Sequence, residues 1–429
     1  MKKNKFIYIF IVMLGLASLS ACKSRSNIVE PSELVLTKNS KASLEKPYVI
    51  LVSLDGFRWD YVERFKPPHL TNFVNNGVKA TSLLSSFPSK TFPNHYSIAT
   101  GMYPDKHGLI GNSYYNYKKE AIYSIGNRAV VEDGTFYNGT PIWVHADNHK
   151  MVSASYFFVG SEADIQGVKP TYYHKYDGKV KNEVRVAESL KWLDLPEEER
   201  PHIITMYFSD MDDIGHKYGP NNDEKLKKAL FDLDENLGAL FSGAAATNLP
   251  VNIIIVSDHG MTELKTENFI STESIENSDL FRVIDNGAIL NIHPKKDVSI
   301  ANVLEYLKPL ENNFKVYKTE NTPGFEYVPK NKDWGSVQII PGFGYYFSKA
   351  ARIISLKSEG ISHVGVHGFD PEYKDMQGIF YANGPDFKKG YSIPTIKNVN
   401  VYPLMCALLG LKIPNDIDGN LNEIKAVLK

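Results

Sequence analysis

Val49-Ile50-Leu51-Val52-Ser53-Leu54-Asp55-Gly56 and Ile253-Ile254-Ile255-Val256-Ser257-Asp258-His259-Gly260 have the same construction: a short aliphatic run, then an aspartate, then a glycine. Runs of this length, rich in Ile and Val and without polar alternation, read as strands covered on both faces, as in a parallel sheet between helical layers. Working outward, strands are expected at Tyr48 to Leu54, His202 to Phe208, Val251 to Ser257 and Met376 to Ala382. Longer amphipathic segments between them predict helices at Pro68 to Asn76, Asn182 to Leu193, Asp223 to Phe241 and Asn400 to Leu409. The fold class that follows is α/β.

Between about Glu263 and Ser362 the pattern changes. A strand-like Gly287 to His293, a helix Ser299 to Leu310 and strand-like pieces through Gln338 to Phe347 suggest an inserted αβ subdomain over about 263–362. It is flanked by aspartate and histidine motifs on both sides, so it is expected to pack beside the active site without forming an independent domain. No internal repeat or long low-complexity tract is evident.

Ahead of the folded part, Lys2, Lys3 and Lys5 precede an apolar run from Phe6 to Leu19 that ends in Leu19-Ser20-Ala21-Cys22. This predicts a signal peptide over 1–21, since the run is shorter than a stable membrane span requires. Its ending resembles a bacterial lipobox. That resemblance implies an acylated Cys22, a lipidated tether over 22–46 and a folded domain over 47–429, exported and membrane-anchored in the periplasm or at the cell surface. Composition fits one large soluble enzyme, with 43% hydrophobic, 23% charged and 12% aromatic residues. Without Lys2, Lys3 and Lys5 the formal charge of −1 becomes −4, which supplies no global basic field for a nucleic-acid partner. Of the two cysteines, Cys406 lies in an apolar stretch and reads as a packed core residue.

The chemistry emerges where acids and histidines fall at strand ends. Asp55 and Asp258-His259 each follow a strand, at the edge where loops gather around ligands in open α/β sheets. In Asp210-Met211-Asp212-Asp213-Ile214-Gly215-His216 the spacing of Asp212 and His216 puts both on one side if the chain is helical there. A fourth segment offers His363 and His367. Taken singly, these residues read as turns, helix caps or a surface pair. Together, three aspartates and three histidines fill two sites of the nitrogen and oxygen character that suits zinc. Ser89-Lys90-Thr91-Phe92-Pro93-Asn94-His95-Tyr96 adds a hydroxyl at a helix expected to begin at Pro93. Metal coordination would activate Thr91 as a nucleophile without a separate general base.

These motifs resemble the nucleotide pyrophosphatase/phosphodiesterase family of the alkaline phosphatase superfamily, over about Tyr48 to Leu411. The resemblance is carried by Leu54-Asp55-Gly56-Phe57-Arg58, Lys90-Thr91-Phe92-Pro93-Asn94-His95-Tyr96, Thr100-Gly101-Met102-Tyr103-Pro104 with His107-Gly108, Ser257-Asp258-His259-Gly260-Met261 and His367-Gly368-Phe369-Asp370. It implies an alkaline-phosphatase-like three-layer sandwich and two Zn2+ ions, one held by Asp55, Thr91, Asp258 and His259, the other by Asp212, His216 and His367. His367 is preferred to His363 for its His-Gly-aromatic-Asp context. The same resemblance makes Asn112 a ligand of a phosphoryl oxygen beside the Thr91 backbone. The implied reaction is in-line and two-step, through a phosphothreonine at Thr91, releasing nucleoside 5′-monophosphate when the substrate is a nucleotide. Phe92 and Tyr173 resemble a pair that sandwiches a nucleobase. Lipid-cleaving relatives share the metal site, so phospholipase C-like cleavage of choline phospholipids is an alternative. One departure is Met211, where the family commonly has proline, and Asp210 and Asp213 add charge with no purpose derivable from sequence.

A phosphomonoesterase needs extra cationic groups for a doubly charged phosphoryl, and no arginine occurs between Thr91 and Gly126, which favours a diesterase. The Cys/Ser-x-Pro-x-Arg pattern of sulfatases is missing. A non-catalytic nucleotide- or glycan-capturing lipoprotein would have no need of a complete nucleophile and ligand set.

Overall fold

The computed structural model describes residues 36–429, so the expected signal peptide and Cys22 lie outside the described residues. Among the described residues no helix is long and apolar enough to cross a membrane. The chain builds β1 (Tyr48–Leu54), β2 (Val78–Ala80), β3 (Ser153–Tyr156), β4 (Tyr172–His174), β5 (Ile203–Phe208), β6 (Val251–Val256), β7 (Phe380–Asn383) and β8 (Tyr391–Ile393). These form one sheet in the order β8-β2-β7-β6-β1-β5-β3-β4. β7 pairs antiparallel with both of its neighbours, and every other pairing is parallel.

The strand pleat sorts the aliphatic runs into two layers. Val49 and Leu51 face the same cluster as Ile203, Ile254 and Val256, under α2 (Thr91–Thr100) and α6 (Val401–Leu409), whose Tyr96, Ile98, Leu404 and Cys406 complete it. Ile50, Val52 and Leu54 face the opposite cluster with Ile204, Met206, Ile253 and Ile255. That layer is closed by α1 (Pro68–Asn75), α3 (Asn182–Leu193), α4 (Asp210–Tyr218) and α5 (Asp223–Ala246). Each such aliphatic side chain contributes about 1.5–3 kcal/mol on burial, so β1, entirely buried, is a strong determinant of the layering.

Residues between β6 and β7 leave the sheet. The antiparallel pair Thr262–Lys265 and His363–Val366 forms the base of this excursion. Above it stands a four-stranded antiparallel sheet of Phe281–Asp285, Leu290–Pro294, Val337–Pro341 and Phe314–Lys318, in that spatial order, with the helix Ile300–Leu307 packed on it. Phe281, Leu290, Ile292, Val303, Leu307 and Ile339 give it a core of its own.

Three expected boundaries are corrected. The strand expected from Met376 begins only at Phe380, because Lys374–Met376 forms a 3-10 turn and Gly378 makes an isolated bridge to Leu83. The helix expected from Pro93 starts at Thr91 instead, with Lys90 as its extended N-cap and Pro93 inside the first turn, where a missing N–H costs nothing. The helix beginning at Asp223 runs to Ala246, past the expected end at Phe241, because its alanines continue a good helix-forming run.

Two glycines allow the close approaches that bring the layers' ends together. Gly56 has φ +63°, and a Cβ there would lie 2.9 Å from Asp212 Cα, so the turn after β1 can press against α4 only as glycine. A Cβ on Gly365 would come within 2.2 Å of the Gly215 carbonyl oxygen, where α4 crosses the strand His363–Val366. We expect Gly365→Ala to lower stability by about 1–3 kcal/mol through overpacking. Chemical denaturation measures this, and an unchanged midpoint would contradict the close contact.

Candidate metal centre and active site

The C-terminal ends of β1, β5 and β6 lie side by side, since β1 pairs with both of the others in parallel register. Asp55 follows β1, Asp258 and His259 follow β6, and Asp212 stands in the first turn of α4 just after β5. Ligand atoms of Asp55, Asp258 and His259 lie within 4.8 Å of one another, as do those of Asp212, His259 and His367. His216 joins the second group, its Nε2 3.3 Å from Asp212 Oδ1. Helical spacing on α4 places these two on one face, as the sequence suggested. Of the two histidines in the fourth segment, the structure brings in His367, whose Nε2 is 4.0 Å from Asp212 Oδ1 and whose ring stacks on His259 at 3.6 Å. His363 is exposed and sits beside Ser362 Oγ.

The histidines are oriented alike. Nδ1 of His216 donates to the Gly365 carbonyl, Nδ1 of His259 to the Gly260 carbonyl and Nδ1 of His367 to the Ser89 carbonyl, each at 2.8 Å. A carbonyl only accepts, so each Nδ1 carries the hydrogen and each Nε2 turns its lone pair toward the aspartates. On the carboxylate side, Asp55 Oδ1, Asp212 Oδ1 and Asp258 Oδ2 are buried oxygens with no hydrogen-bond donor. Orphaned buried carboxylate oxygens facing three imidazole lone pairs make a donor set without a proton to share, which is the environment of a bound cation. The residues therefore fit a metal, and nitrogen with oxygen donors fits zinc.

The electrostatics reflect this crowding of charge. Burial, then Asp258 and Asp212, raise the Asp55 pKa well above its ordinary value, and burial raises that of Asp212. At Asp258 burial pushes upward, but His259 and His95 outweigh it and hold the group well below the usual range. Burial lowers the His259 pKa, yet Asp258 prevails and raises it. Burial, with His259, Lys90 and His216 nearby, keeps His367 well below its ordinary value and therefore neutral.

Thr91 opens α2 with its Oγ1 3.3 Å from His259 Nε2. Asn112 reaches the same helix start: its Oδ1 accepts from the Phe92 N–H at 3.0 Å, which leaves its Nδ2 as the free donor. Phe92 is half-buried, with its ring 6.4 Å from that of Tyr123. Tyr173 lies on the edge strand β4 opposite Ser155, on the sheet face to which α2 packs, while Tyr172 and His174 stack on Trp192 on the other face. Tyr176 of the same run makes a contact absent from the sequence reading, its ring lying 6.1 Å from that of Tyr207.

Several supporting residues were not singled out from the sequence. Tyr207 donates to Asp55 Oδ2 at 2.6 Å. His95 is fully buried, with Nδ1 2.9 Å from the Thr91 carbonyl and 3.3 Å from Asp258 Oδ2, and Nε2 2.8 Å from Ser53 Oγ. The available signal was its place one helical turn after Thr91. Lys90, also buried, donates to Tyr346 Oη, which in turn donates to the His367 carbonyl. The two unexplained acids find partners as well: Asp210 accepts from Asn182 Nδ2 at 2.8 and 3.0 Å, and Asp213 accepts from Ser209 Oγ at 2.9 Å. Met211, standing where the family commonly has proline, is buried in the helical layer over α4.

Residues 49–370 match the family model described as type I phosphodiesterase / nucleotide pyrophosphatase. The chain is 34% identical over 397 residues to a venom phosphodiesterase of Crotalus durissus collilineatus, which covers 89% of the chain and 47% of that protein. It thus spans about half the length of the curated relatives it first matches. It is 32% identical to the bis(5′-adenosyl)-triphosphatase of Bos taurus, covering 91% of the chain and 84% of the relative. Among solved structures, murine ectonucleotide pyrophosphatase/phosphodiesterase 5 superposes with a TM-score of 0.81 at 28% identity, covering 89% of this chain and all of that one. An inactive form of the same murine protein in complex with AMP superposes equally well, at 27% identity, with 90% of this chain and all of that one covered. The mixed, mostly parallel sheet between helical layers is the alkaline-phosphatase-like fold of those structures, and by sequence and fold alike this chain belongs to the type I phosphodiesterase / nucleotide pyrophosphatase family.

Proposed function

We propose that the protein hydrolyses phosphodiester or pyrophosphate bonds of nucleotides, releasing nucleoside 5′-monophosphate through a covalent phosphothreonine at Thr91 and with two zinc ions as cofactors. The observation that carries this reading is the set of three buried, donorless carboxylate oxygens facing three imidazole Nε2 atoms, with the Thr91 hydroxyl beside them. Asp55, Thr91, Asp258 and His259 would hold one ion, and Asp212, His216 and His367 the other. When bound, the ions would lower the pKa of the Thr91 hydroxyl and offset negative charge on the phosphoryl and leaving oxygens.

Thr91 Oγ attacks phosphorus and the bond to the leaving alcohol or phosphate breaks. Water then attacks the same phosphorus, the bond from phosphorus to Thr91 Oγ breaks, and the nucleoside phosphoryl group leaves as nucleoside 5′-monophosphate while Thr91 regains its hydroxyl proton. The Phe92 N–H is engaged by Asn112, so the Asn112 Nδ2 and the Thr91 N–H at the helix start are the chain's own donors for a phosphoryl oxygen. His95 holds the Thr91 carbonyl, and Tyr207 fixes Asp55. Phe92 and an aromatic of the Tyr173 to Tyr176 run would stack a nucleobase, a contact tolerant of base identity. The AMP complex of the murine relative and the diadenosine triphosphate activity in the name of the bovine one support a nucleotide substrate over a choline phospholipid. Acylation of Cys22 would place this exported enzyme on a membrane with its catalytic domain free.

Substrate preference, chelation and three substitutions test this reading. The purified protein should hydrolyse a nitrophenyl ester of thymidine monophosphate much faster than nitrophenyl phosphate, and chelation should abolish the activity. Equal rates, or indifference to chelator, would overturn the diesterase assignment. Thr91→Ala should remove turnover while elemental analysis still finds zinc, whereas Asn112→Ala should lower kcat about 10²–10³-fold. Tyr207→Phe, which removes only the hydroxyl on Asp55, should weaken zinc binding about 10–100-fold in a competition titration with a chromogenic chelator.

A further inference from the structure

We propose that Asn286, on the inserted subdomain, is a positioning residue for the phosphoryl site and sets the aim of Asn112. This rests on the functional reading above and extends it to a residue some 170 positions away in the chain. Asn286 is buried, 8% exposed, in the loop after the strand Phe281–Asp285. Its Oδ1 accepts from the Ser113 N–H at 3.1 Å, and its Nδ2 donates to the Ser113 carbonyl at 2.8 Å. The side-chain amide thus imitates a neighbouring β-strand, and the two bonds together fix which way it faces.

The Ser113 N–H belongs to the same peptide unit as the Asn112 carbonyl, and that carbonyl accepts from the Ile125 N–H at 3.0 Å. One peptide plane is therefore held at both ends, by Ile125 just past the strand Ala121–Ser124 on one side and by Asn286 on the other. With that plane fixed, and with Asn112 Oδ1 held by the Phe92 N–H, neither the backbone nor the side-chain amide of Asn112 can turn freely. Asn112 Nδ2 then points where the bond network leaves it. Gly111 completes the arrangement, since a Cβ there would lie 2.9 Å from Asn286 Nδ2 and expel it.

The same loop touches the metal side. A Cβ on Gly368, the residue after His367, would meet Ala288 Cβ at 3.2 Å, and a Cβ on Gly287 would overlap the Tyr346 ring that bonds the His367 carbonyl. The Asp285 to Ile289 loop is wedged between the Asn112 segment and the His367 segment. That placement gives the insertion a function: it braces two halves of the site that are contributed by distant parts of the catalytic fold. Donor placement matters steeply, because a misplacement of about 1 Å can cost 10²-fold in rate.

The test uses the full chain loaded with zinc and the nitrophenyl ester of thymidine monophosphate. N286A should lower kcat about 10–100-fold with KM changed less than about threefold and zinc content unaltered. N286D, which keeps the acceptor for the Ser113 N–H and loses the donor to its carbonyl, should fall between wild type and N286A. In the N112A background N286A should add almost nothing, since the group it aims is gone. Wild-type kcat in N286A, a loss that follows zinc content, or a penalty that multiplies in full with that of N112A would each overturn the proposal. An N112A variant with undiminished kcat overturns the role of Asn112, and turnover by T91A overturns the functional reading itself, so the three failures are told apart.

Discussion

Asp55, Asp258 and Asp212 crowd their oxygens into a largely buried space at the ends of three neighbouring strands, and the rest of the site is arranged around that concentration of negative charge. Two unit charges about 4 Å apart repel by about 4 kcal/mol at the effective dielectric of a protein near its surface; Asp55 and Asp258 lie in that range, and Asp212 adds to the charge that acts on Asp55. Burial adds a desolvation cost for each one. Burial and the neighbouring carboxylates push Asp55 upward, and Asp258 draws His259 toward its charged form. With divalent cations the cluster becomes attractive. Metal affinity and folding stability are then linked, because the unfolded chain offers no such convergence.

Parallel strands are what make the convergence available. β1, β5 and β6 run in the same direction, so their carboxyl ends and the loops after them share one edge of the sheet. The antiparallel β7 lets the chain return from a long excursion directly beside β6. That excursion opens just after His259 and closes just before His367, so its two stems are tied to two of the candidate metal ligands. A segment inserted at this point is brought next to the site, with Asn286 bonded to the Ser113 backbone and Tyr346 to the His367 carbonyl.

The layered fold was legible because its determinants are local. A run such as Ile253 to Val256 states its own burial, and the Asp and His that follow state where the chemistry must lie. Helical spacing revealed the pairing of Asp212 with His216. The errors were also local: Lys374–Met376 is apolar enough at Met376 to look like strand, and Pro93 looks like a helix start although proline is tolerated throughout the first turn. What could not be read was the support beneath the ligands. Tyr207 to Asp55, His95 to Asp258, Lys90 to Tyr346 and Asn286 to Ser113 are contacts between chain segments that only the folded sheet juxtaposes. Apart from His95, which stands one helical turn after Thr91, none has a spacing or composition signature, since a tyrosine at a strand end or an asparagine in a turn is ordinary.

The acidic run Asp210-Met211-Asp212-Asp213 shows how environment divides roles among like residues. All three acids lie in the first turn of α4, where the helix dipole favours negative charge. Asp210 turns to the Asn182 amide and ties the start of α4 to the start of α3, while Asp213 is satisfied by Ser209 within its own turn. Asp212 alone is aimed at the histidines, with Gly56 pressed against its Cα and an oxygen left without a donor. The two flanking acids have hydrogen-bond donors of their own and are turned away from the histidines. Met211, between them, anchors the turn in the helical layer by burial. The candidate ligand among the three is therefore distinguished by which carboxylate the fold leaves without a proton donor, a criterion set by packing around α4 rather than by the residue type.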